Sequence, residues 1–191
     1  MKISSTILLL IIIFFIIILI PSISAQDENL LPFYIYKGLH TGYTGIRNIL
    51  LFTAPLLGPD DAVWIYSYFD NECHQLPERS FLINNNQIPL CARCTGIVIG
   101  SFAGQLSYYL FKDFYFSTIF EEHNFLLSIG IMILGILPLV IDGGMQFLTD
   151  YESNNTLRLG TGLLFGISLS LLYDVFIVNI NRLFNYSLKI Y

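Results

Sequence analysis

Charged residues are scarce in this sequence: they make up 12% of its 191 residues, about half the share of an average soluble domain. Hydrophobic residues make up 54%, and they occur in long continuous runs rather than with the periodicity of an amphipathic helix or strand. A soluble chain of this length could not bury them all, because the buried fraction of a protein's surface grows only slowly with its mass. The composition therefore indicates an integral membrane protein.

Basic residues and cysteines are also few, and each shortage excludes a class of protein. Nine Lys and Arg residues against fourteen Asp and Glu give a net charge of −5. The chain thus has no basic stripe to meet a phosphate backbone, and nucleic acid is not expected as a partner. Three cysteines are too few for a disulfide scaffold, and their odd number leaves one thiol to explain.

Apolar segments are what the sequence has in abundance. Residues 7–20 follow Lys2 and precede small polar residues, a pattern typical of a signal peptide within residues 1–25. The alternative is that residues 1–25 form an uncleaved first transmembrane helix. The segment 48–57 is too short to cross a ~30 Å hydrocarbon core, and the glycines at 38, 42 and 45 indicate a loop. We therefore predict that residues 26–89 form an extracytoplasmic or interfacial segment.

Three apolar spans follow, at residues 90–111, 125–141 and 159–180. Their lengths are close to the ~20 residues that a membrane-spanning helix needs. We predict an all-α protein, a polytopic membrane helix bundle with three to four transmembrane helices. Residues 90–182 would form a membrane bundle of three helices, and residues 183–191 a cytoplasmic tail.

Counting the crossings places two distant polar segments on one membrane face. Segment 73–94 precedes the first of the three spans, and segment 142–158 joins the second to the third. An even number of crossings separates them in either orientation. With residue 26 outside, both segments lie at the outer face of a multi-pass plasma-membrane protein. The basic residues of the opposite face then lie inside, as the positive-inside tendency requires; they are Lys112, Arg182 and Lys189.

Small residues recur every four positions in the first and third spans. In lipid, small residues at this spacing let two helix backbones approach closely. We therefore predict that these two spans pack against each other through Gly96, Gly100 and Gly104 on one side and Gly162, Gly166 and Ser170 on the other.

Three blocks of the sequence resemble a known family. They are CHQLPERSF at 73–81, IPLCARCTGIVIG at 88–100, and IDGGMQF at 141–147 followed by ESNNTLRLGTGLLFG at 152–166. The blocks are similar to the signatures of domain-of-unknown-function family 2085, which comprises small integral membrane proteins of prokaryotes, and the resemblance covers residues 60–170. It implies a polytopic membrane protein and brings no assigned activity, substrate or cofactor.

All three cysteines and one histidine lie in the first polar segment. Cys91 and Cys94 form a Cys-x-x-Cys loop that aims two thiolates at one tetrahedral ion, and Cys73 with His74 would complete a Cys₃His set. This donor set predicts a metal site that holds zinc, or iron as the second choice.

Two other interpretations of the cysteines stay open. Cys91 and Cys94 lie at a helix N-terminus with Arg93 between them, which lowers thiol pKa values as a membrane thiol–disulfide protein requires. Alternatively the cysteines only brace the loop of a non-catalytic binding or assembly protein. A transporter would need a homo-oligomer, because three or four helices make a thin pathway.

Arginines and amides of both polar segments predict an anion site beside the cysteines. Arg79, Arg93 and Arg158 lie near the starts of two helices, and helix N-termini with guanidinium groups bind phosphate or carboxylate well. The expected ligand is a lipid headgroup or a lipid-linked phosphate. Whether a reaction occurs there stays open. Three further residues complete the predicted site: Asp142, expected to pair with Arg158 or Arg79, and Gln146 and Asn154.

One acidic residue, Asp174, lies well inside the third span. A carboxylate in a membrane helix is costly unless it is paired or reaches water. Because Asp174 is near the inner end of the span, we expect its side chain to extend toward water.

Overall fold

The structure is a computed structural model and describes residues 31–111 and 125–188. In these residues the chain forms five α-helices and one β-hairpin. The elements in order are α1 (Leu31–Leu57), α2 (Val63–Asp70), a 3₁₀ turn (Pro77–Arg79), β1 (Ser80–Ile83), β2 (Asn86–Cys91), α3 (Ala92–Leu110), α4 (Phe125–Leu148) and α5 (Asn155–Leu188). The predicted signal peptide or first helix at 1–25 lies outside the described residues.

The centre of the molecule is a glycine-mediated contact between α3 and α5. A Cβ added at Gly96 or Gly100 would overlap backbone atoms of α5, at Leu159 and Leu163 respectively. One added at Gly162 would overlap the carbonyl group of Arg93. Only glycine permits backbones to lie this close. Because the contacts advance together along both helices, α3 and α5 run parallel.

Helix α4 packs antiparallel to this pair and extends further than predicted. A Cβ added at Gly135 would overlap the side chain of Ser168 on α5, whereas Asp142, two turns later, reaches Arg93 at the start of α3. The sequence predicted that the helix ends at residue 141. It continues through Gly143 and Gly144 to Leu148, because Asp142 is neutralised inside the bundle and does not have to reach water.

Helix α1 corrects the expectation of a loop at the glycines. The expectation that residues 26–89 form an extracytoplasmic or interfacial segment stays a prediction. Where the sequence predicted the loop, Leu31–Leu57 is one helix of 27 residues. Gly42 and Gly45 lie on its buried face, so helix packing outweighs their low helix propensity. The Thr41 hydroxyl donates to Gln105 Oε1 (3.4 Å), and Asn48 Nδ2 donates to the Val98 carbonyl (3.1 Å).

This register sets the direction of α1. Its earlier residue Thr41 contacts the later α3 residue Gln105, and its later residue Asn48 contacts the earlier Val98. Helix α1 is therefore antiparallel to α3. Its first residues lie at the far end of α3, and its last residues lie near the hairpin.

The β-hairpin corrects the all-α prediction. Strands β1 and β2 pair antiparallel, with Ser80 opposite Cys91. The two residues between them, Asn84 and Asn85, have φ angles of 53° and 61°. This left-handed pair defines a tight hairpin turn, which asparagine tolerates well.

A small apolar core holds the hairpin onto the helices. It joins the end of α1, helix α2 and strand β2. Its most buried side chains include Leu51, Ile65, Phe69 and Leu90, and two cysteines, Cys73 and Cys91, belong to it.

Two helices in the described ranges are long and apolar enough to cross a membrane, Ile129–Leu148 in α4 and Asn155–Asp174 in α5. Helix α4 turns large apolar side chains outward, such as Leu134 and Phe147, as a helix that faces lipid does. The predicted first span at 90–111 is the 19-residue α3, which is not one of these two helices.

Candidate metal centre and neighbouring polar cavities

The backbone around Cys73 bends sharply, and this bend sets the position of the first cysteine. The Cys73 N–H donates to the Phe69 carbonyl at the end of α2 (3.1 Å). Two residues later, Gln75 has a φ of 47°, in the region that few residues other than glycine adopt. The bend turns the chain back toward the hairpin, whose second strand ends at Cys91.

The four residues that the sequence predicted as metal ligands come together. The ligand atoms of Cys73, His74 and Cys91 lie within 4.8 Å of one another. Cys94 is not part of that set, but its thiol contacts the thiols of Cys73 and Cys91. All three cysteines are free thiols; Cys73 and Cys91 are buried, and Cys94 is partly buried.

Hydrogen bonds within the cluster stabilise a thiolate. The thiols of Cys91 and Cys94, followed by the backbone N–H groups of Cys91 and Gln75, lower the pKa of Cys73 to about 2. The Cys91 N–H lies 3.2 Å from Cys73 Sγ. The contact with Cys73 in turn raises the pKa of Cys91. The cluster therefore holds one thiolate readily, and further deprotonation needs a cation to offset the repulsion between negative sulfurs.

His74 differs from the cysteines in its surroundings. The side chain is exposed, and Nδ1 accepts a hydrogen bond from the Leu76 N–H (3.1 Å). In a neutral ring with this bond, the proton is on Nε2. His74 can bind a metal through either ring nitrogen only after the bond to Leu76 is lost, because coordination through Nε2 moves the proton to Nδ1. Cys73 and Cys91 are thus the buried donors of the cluster, and His74 lies at its exposed edge.

Arg93 and Asp142 form an ion pair between α3 and α4. The sequence predicted Arg158 or Arg79 as the partner of Asp142, and this prediction is wrong. Arg93 faces α4 beside Gly143: a Cβ at Gly143 would lie in ordinary van der Waals contact with Arg93 Nη1, at 3.7 Å. The Asp142 side chain is 3% exposed and that of Arg93 25%.

The ion pair leaves polar atoms unsatisfied. Asp142 Oδ1 and Arg93 Nε are buried and have no hydrogen-bond partner in the described part of the chain. Gln146, one turn after Asp142 on α4, likewise has a buried Nε2 without a partner there. This end of the bundle therefore has hydrogen-bonding capacity that the described side chains do not use.

Arg79 and Arg158 line two adjoining cavities of ≈ 290 and ≈ 310 Å³. Asn154 lines the first cavity and Gln146 the second. Two acidic residues also line each cavity: Glu78 and Glu152 in the first, and Asp150 and Glu152 in the second. Four of the predicted anion-site residues therefore lie together at these two cavities. Arg93 and Asp142 are paired with each other instead. The formal charges that line each cavity sum to zero.

Two asparagines connect α5 to the hairpin. Asn154 Oδ1 accepts from the Leu157 N–H (2.8 Å) and caps the helix. Asn155 Nδ2 donates to the carbonyls of Glu78 (3.2 Å) and Ser80 (3.4 Å), and its Oδ1 accepts from Arg158 Nη1 (3.1 Å). Polar segments 73–94 and 142–158 therefore touch directly.

A buried polar network inside the bundle was not predicted from the sequence. Gln105 is fully buried, and its Nε2 donates to Ser170 Oγ (2.8 Å) and to Asp174 Oδ1 (3.5 Å). Asp174 is 2% exposed, so the expectation that it extends toward water is wrong. Gln105 follows Gly104 on the face of α3 that meets α5, and a polar residue beside a packing glycine was the available signal.

The chain is similar to uncharacterized proteins of two archaea. An uncharacterized protein of Methanothermobacter thermautotrophicus is 39% identical over 103 residues, which cover 54% of this chain and 85% of the relative. An uncharacterized protein of Methanocaldococcus jannaschii is 30% identical over 107 residues, covering 56% of this chain and 64% of that relative. No solved structure matches the chain significantly.

The matched region coincides with the site just described. A family profile described as "Predicted membrane protein (DUF2085)" matches residues 73–172. This range begins at the first cysteine and includes the hairpin, α3, α4 and the first half of α5, which packs against α3. The chain therefore belongs to the DUF2085 family of membrane proteins.

Proposed function

We propose that this membrane protein binds one zinc ion through the thiolates of Cys73, Cys91 and Cys94, with His74 or water as the fourth ligand. The observation that carries the proposal is that the ligand atoms of Cys73, His74 and Cys91 lie within 4.8 Å of one another, with the free thiol of Cys94 in contact with the other two thiols. Thiolates are preferred ligands of zinc, and four-coordinate tetrahedral sites rich in cysteine are common in proteins. Iron is the second candidate, because it accepts the same ligands.

The proposed role of the ion is structural. Cys73 follows α2, Cys91 ends β2 and Cys94 lies in the first turn of α3, so one ion would tie three elements together. The burial of Cys73 and Cys91 favours a closed site over a catalytic one that keeps an open position. The ion would hold the hairpin against the end of the helix bundle.

Metal analysis tests this proposal directly. The full chain, purified in mild detergent, is expected to contain close to one zinc per molecule by elemental analysis. Cys73→Ser and Cys91→Ser should each reduce the content below about one tenth of that, since zinc sites depend on every thiolate. Thr95→Ser, next to Cys94, is the matched control and should keep the metal. Metal-free protein with unchanged helix content by circular dichroism would contradict the proposal.

A thiol–disulfide role is the second candidate, and the contacts among the thiols support it. The lowered pKa of Cys73 favours a thiolate within the cluster, and in this candidate Cys94 is the resolving thiol of the Cys-x-x-Cys pair. A Cys94→Ser variant should then trap a mixed disulfide with a partner, visible on non-reducing gels. A zinc-loaded protein that forms no such adduct would exclude this candidate.

The membrane topology is part of the proposal. We infer a multi-pass protein of the plasma membrane in which α1 and α3 cross together with α4 and α5. The support is that α3 packs along α5 through its glycines and that α1 packs along α3. A lipid phosphate at Arg79 and Arg158 stays a prediction, and the acidic residues on the same walls leave that site without net positive charge. A homo-oligomer also stays a prediction.

A further inference from the structure

A larger cavity lies inside the helix bundle, between α1, α3 and α5. Its volume is ≈ 590 Å³, within the range of small-molecule binding sites. One end reaches the cysteine cluster, where Cys94 lines it, and the other end reaches Phe176. Most of its wall is hydrocarbon, from Leu90, Ile97, Val98, Leu169, Leu172 and Phe176.

A single guanidinium group stands at the cysteine end of this cavity. Arg47 pairs with Glu72 through Nη2, and its guanidinium carbon lies 5.6 Å from the ring centre of Tyr43 and 5.8 Å from that of Phe69. These contacts fix its orientation. Its Nε is buried and has no hydrogen-bond partner among residues 31–111 and 125–188 as described.

Three hydroxyl groups on the cavity wall have partners within the bundle. Thr44 donates to the carbonyls of His40 and Thr41, and Ser101 lies 3.5 Å from the Gly166 carbonyl. Ser170 accepts from Gln105. The Arg47 Nε–H is a buried donor that a ligand can satisfy, and a buried N–H without a partner is destabilising.

We propose that this cavity binds a neutral lipid with one long hydrocarbon chain. The chain would lie between α1, α3 and α5, and a carbonyl or hydroxyl oxygen of the head would accept the Arg47 Nε–H. A neutral head is favoured because Glu72 already neutralises Arg47, so an anionic head would bring a second negative charge to the same cation. The apolar wall excludes a free, fully polar ligand.

Native mass spectrometry of the delipidated full chain in detergent tests the proposal. With 1-monooleoylglycerol as the probe, we expect a single adduct per chain, formed at lower concentration than the adduct of oleate. Leu169→Trp fills the cavity and should abolish the adduct. Leu164→Trp is the matched control: it is on the same helix, its exposure is 45% against 42%, and it does not line the cavity.

Arg47→Lys tests the position of the head. Lysine keeps a cation for Glu72 but lacks the Nε–H, so the apparent Kd for 1-monooleoylglycerol should rise about tenfold, as expected for a hydrogen bond to a charged group. An adduct equal in Leu164→Trp and Leu169→Trp, or tighter binding of oleate, would overturn the proposal. Zinc content is measured on the same samples. In the parent protein, bound zinc without a lipid adduct would count against this cavity alone, and a lipid adduct without zinc would count against the metal proposal alone.

Discussion

At the scale of single residues, the ion pair of Arg93 and Asp142 joins the cysteine-bearing helix to α4. A buried pair adds little net stability, but removing one partner leaves an uncompensated buried charge. Arg93→Met should therefore lower the free energy of unfolding by about 3–5 kcal/mol.

The double variant Arg93→Met/Asp142→Leu supplies the control for this prediction. With both charges replaced by apolar groups, stability should return to within about 1–2 kcal/mol of the parent protein, because no charge is left unpaired. Denaturant titration in mixed micelles measures both variants. If the double variant is as unstable as the single one, the pair does not act as a unit.

The proximity of the cysteines is the part of the candidate site that the sequence alone predicted, and metal binding by them stays a prediction. Cys91 and Cys94 are three residues apart, and Cys73 is brought to them by the hairpin. The partner of Asp142 could not be predicted in the same way. Arg79, Arg93 and Arg158 all lie in the two polar segments predicted to share one face. Which of them reaches Asp142 depends on how α3 is rotated about its axis, and spacing along the chain does not determine that rotation.

At the scale of elements, the parallel contact of α3 with α5 depends on glycine. Gly162→Ala would place a methyl group on the Arg93 carbonyl and should force the helices apart, at a cost of about 1–3 kcal/mol as for overpacking. Gly160→Ala, one half-turn away, meets no atom within 4 Å and should be neutral or stabilising by up to about 1 kcal/mol. Thermal unfolding of both variants in detergent distinguishes them, and equal melting temperatures would contradict the packing.

The spacing of small residues predicted this helix contact, because a four-residue repeat marks one helix face. The same reasoning failed for α1, whose glycines suggested a loop. Gly42 and Gly45 are packing residues too, but the polar residues around them lower the hydropathy of the segment. The hairpin was not predicted from the sequence, because the cysteine motif around it was interpreted and the Asn84-Asn85 turn was not.

At the scale of the whole molecule, the direction of α1 decides on which side of the membrane the cysteines lie. Since α1 is antiparallel to α3, its first residues and the cysteine cluster lie at opposite ends of the bundle. If residue 26 is outside, as the sequence predicted, a crossing by α1 puts the cysteines at the cytoplasmic face. Four of the nine basic residues lie at that end, namely Arg47, Arg79, Arg93 and Arg158. The sequence predicted three others, Lys112, Arg182 and Lys189, at the opposite face, so the positive-inside tendency does not select between the two orientations.

Epitope insertion tests the topology. Tags placed after Asp60 and after Asp150 should be accessible from the same side of the membrane, and a tag between α3 and α4 from the other side. Protease protection in intact and permeabilised spheroplasts reads the side of each tag. Tags at 60 and 150 on different sides would exclude the four-helix arrangement.

The parallel pairing of α3 and α5 also has a consequence for biosynthesis. Gly162 is made 66 residues after Gly96, as their numbers give. At an elongation rate of about 5–20 residues per second, α3 waits roughly 3–13 s for its partner. During this interval its glycine face contacts lipid or the insertion machinery, because the native contact can form only after the first turns of α5 have been synthesised.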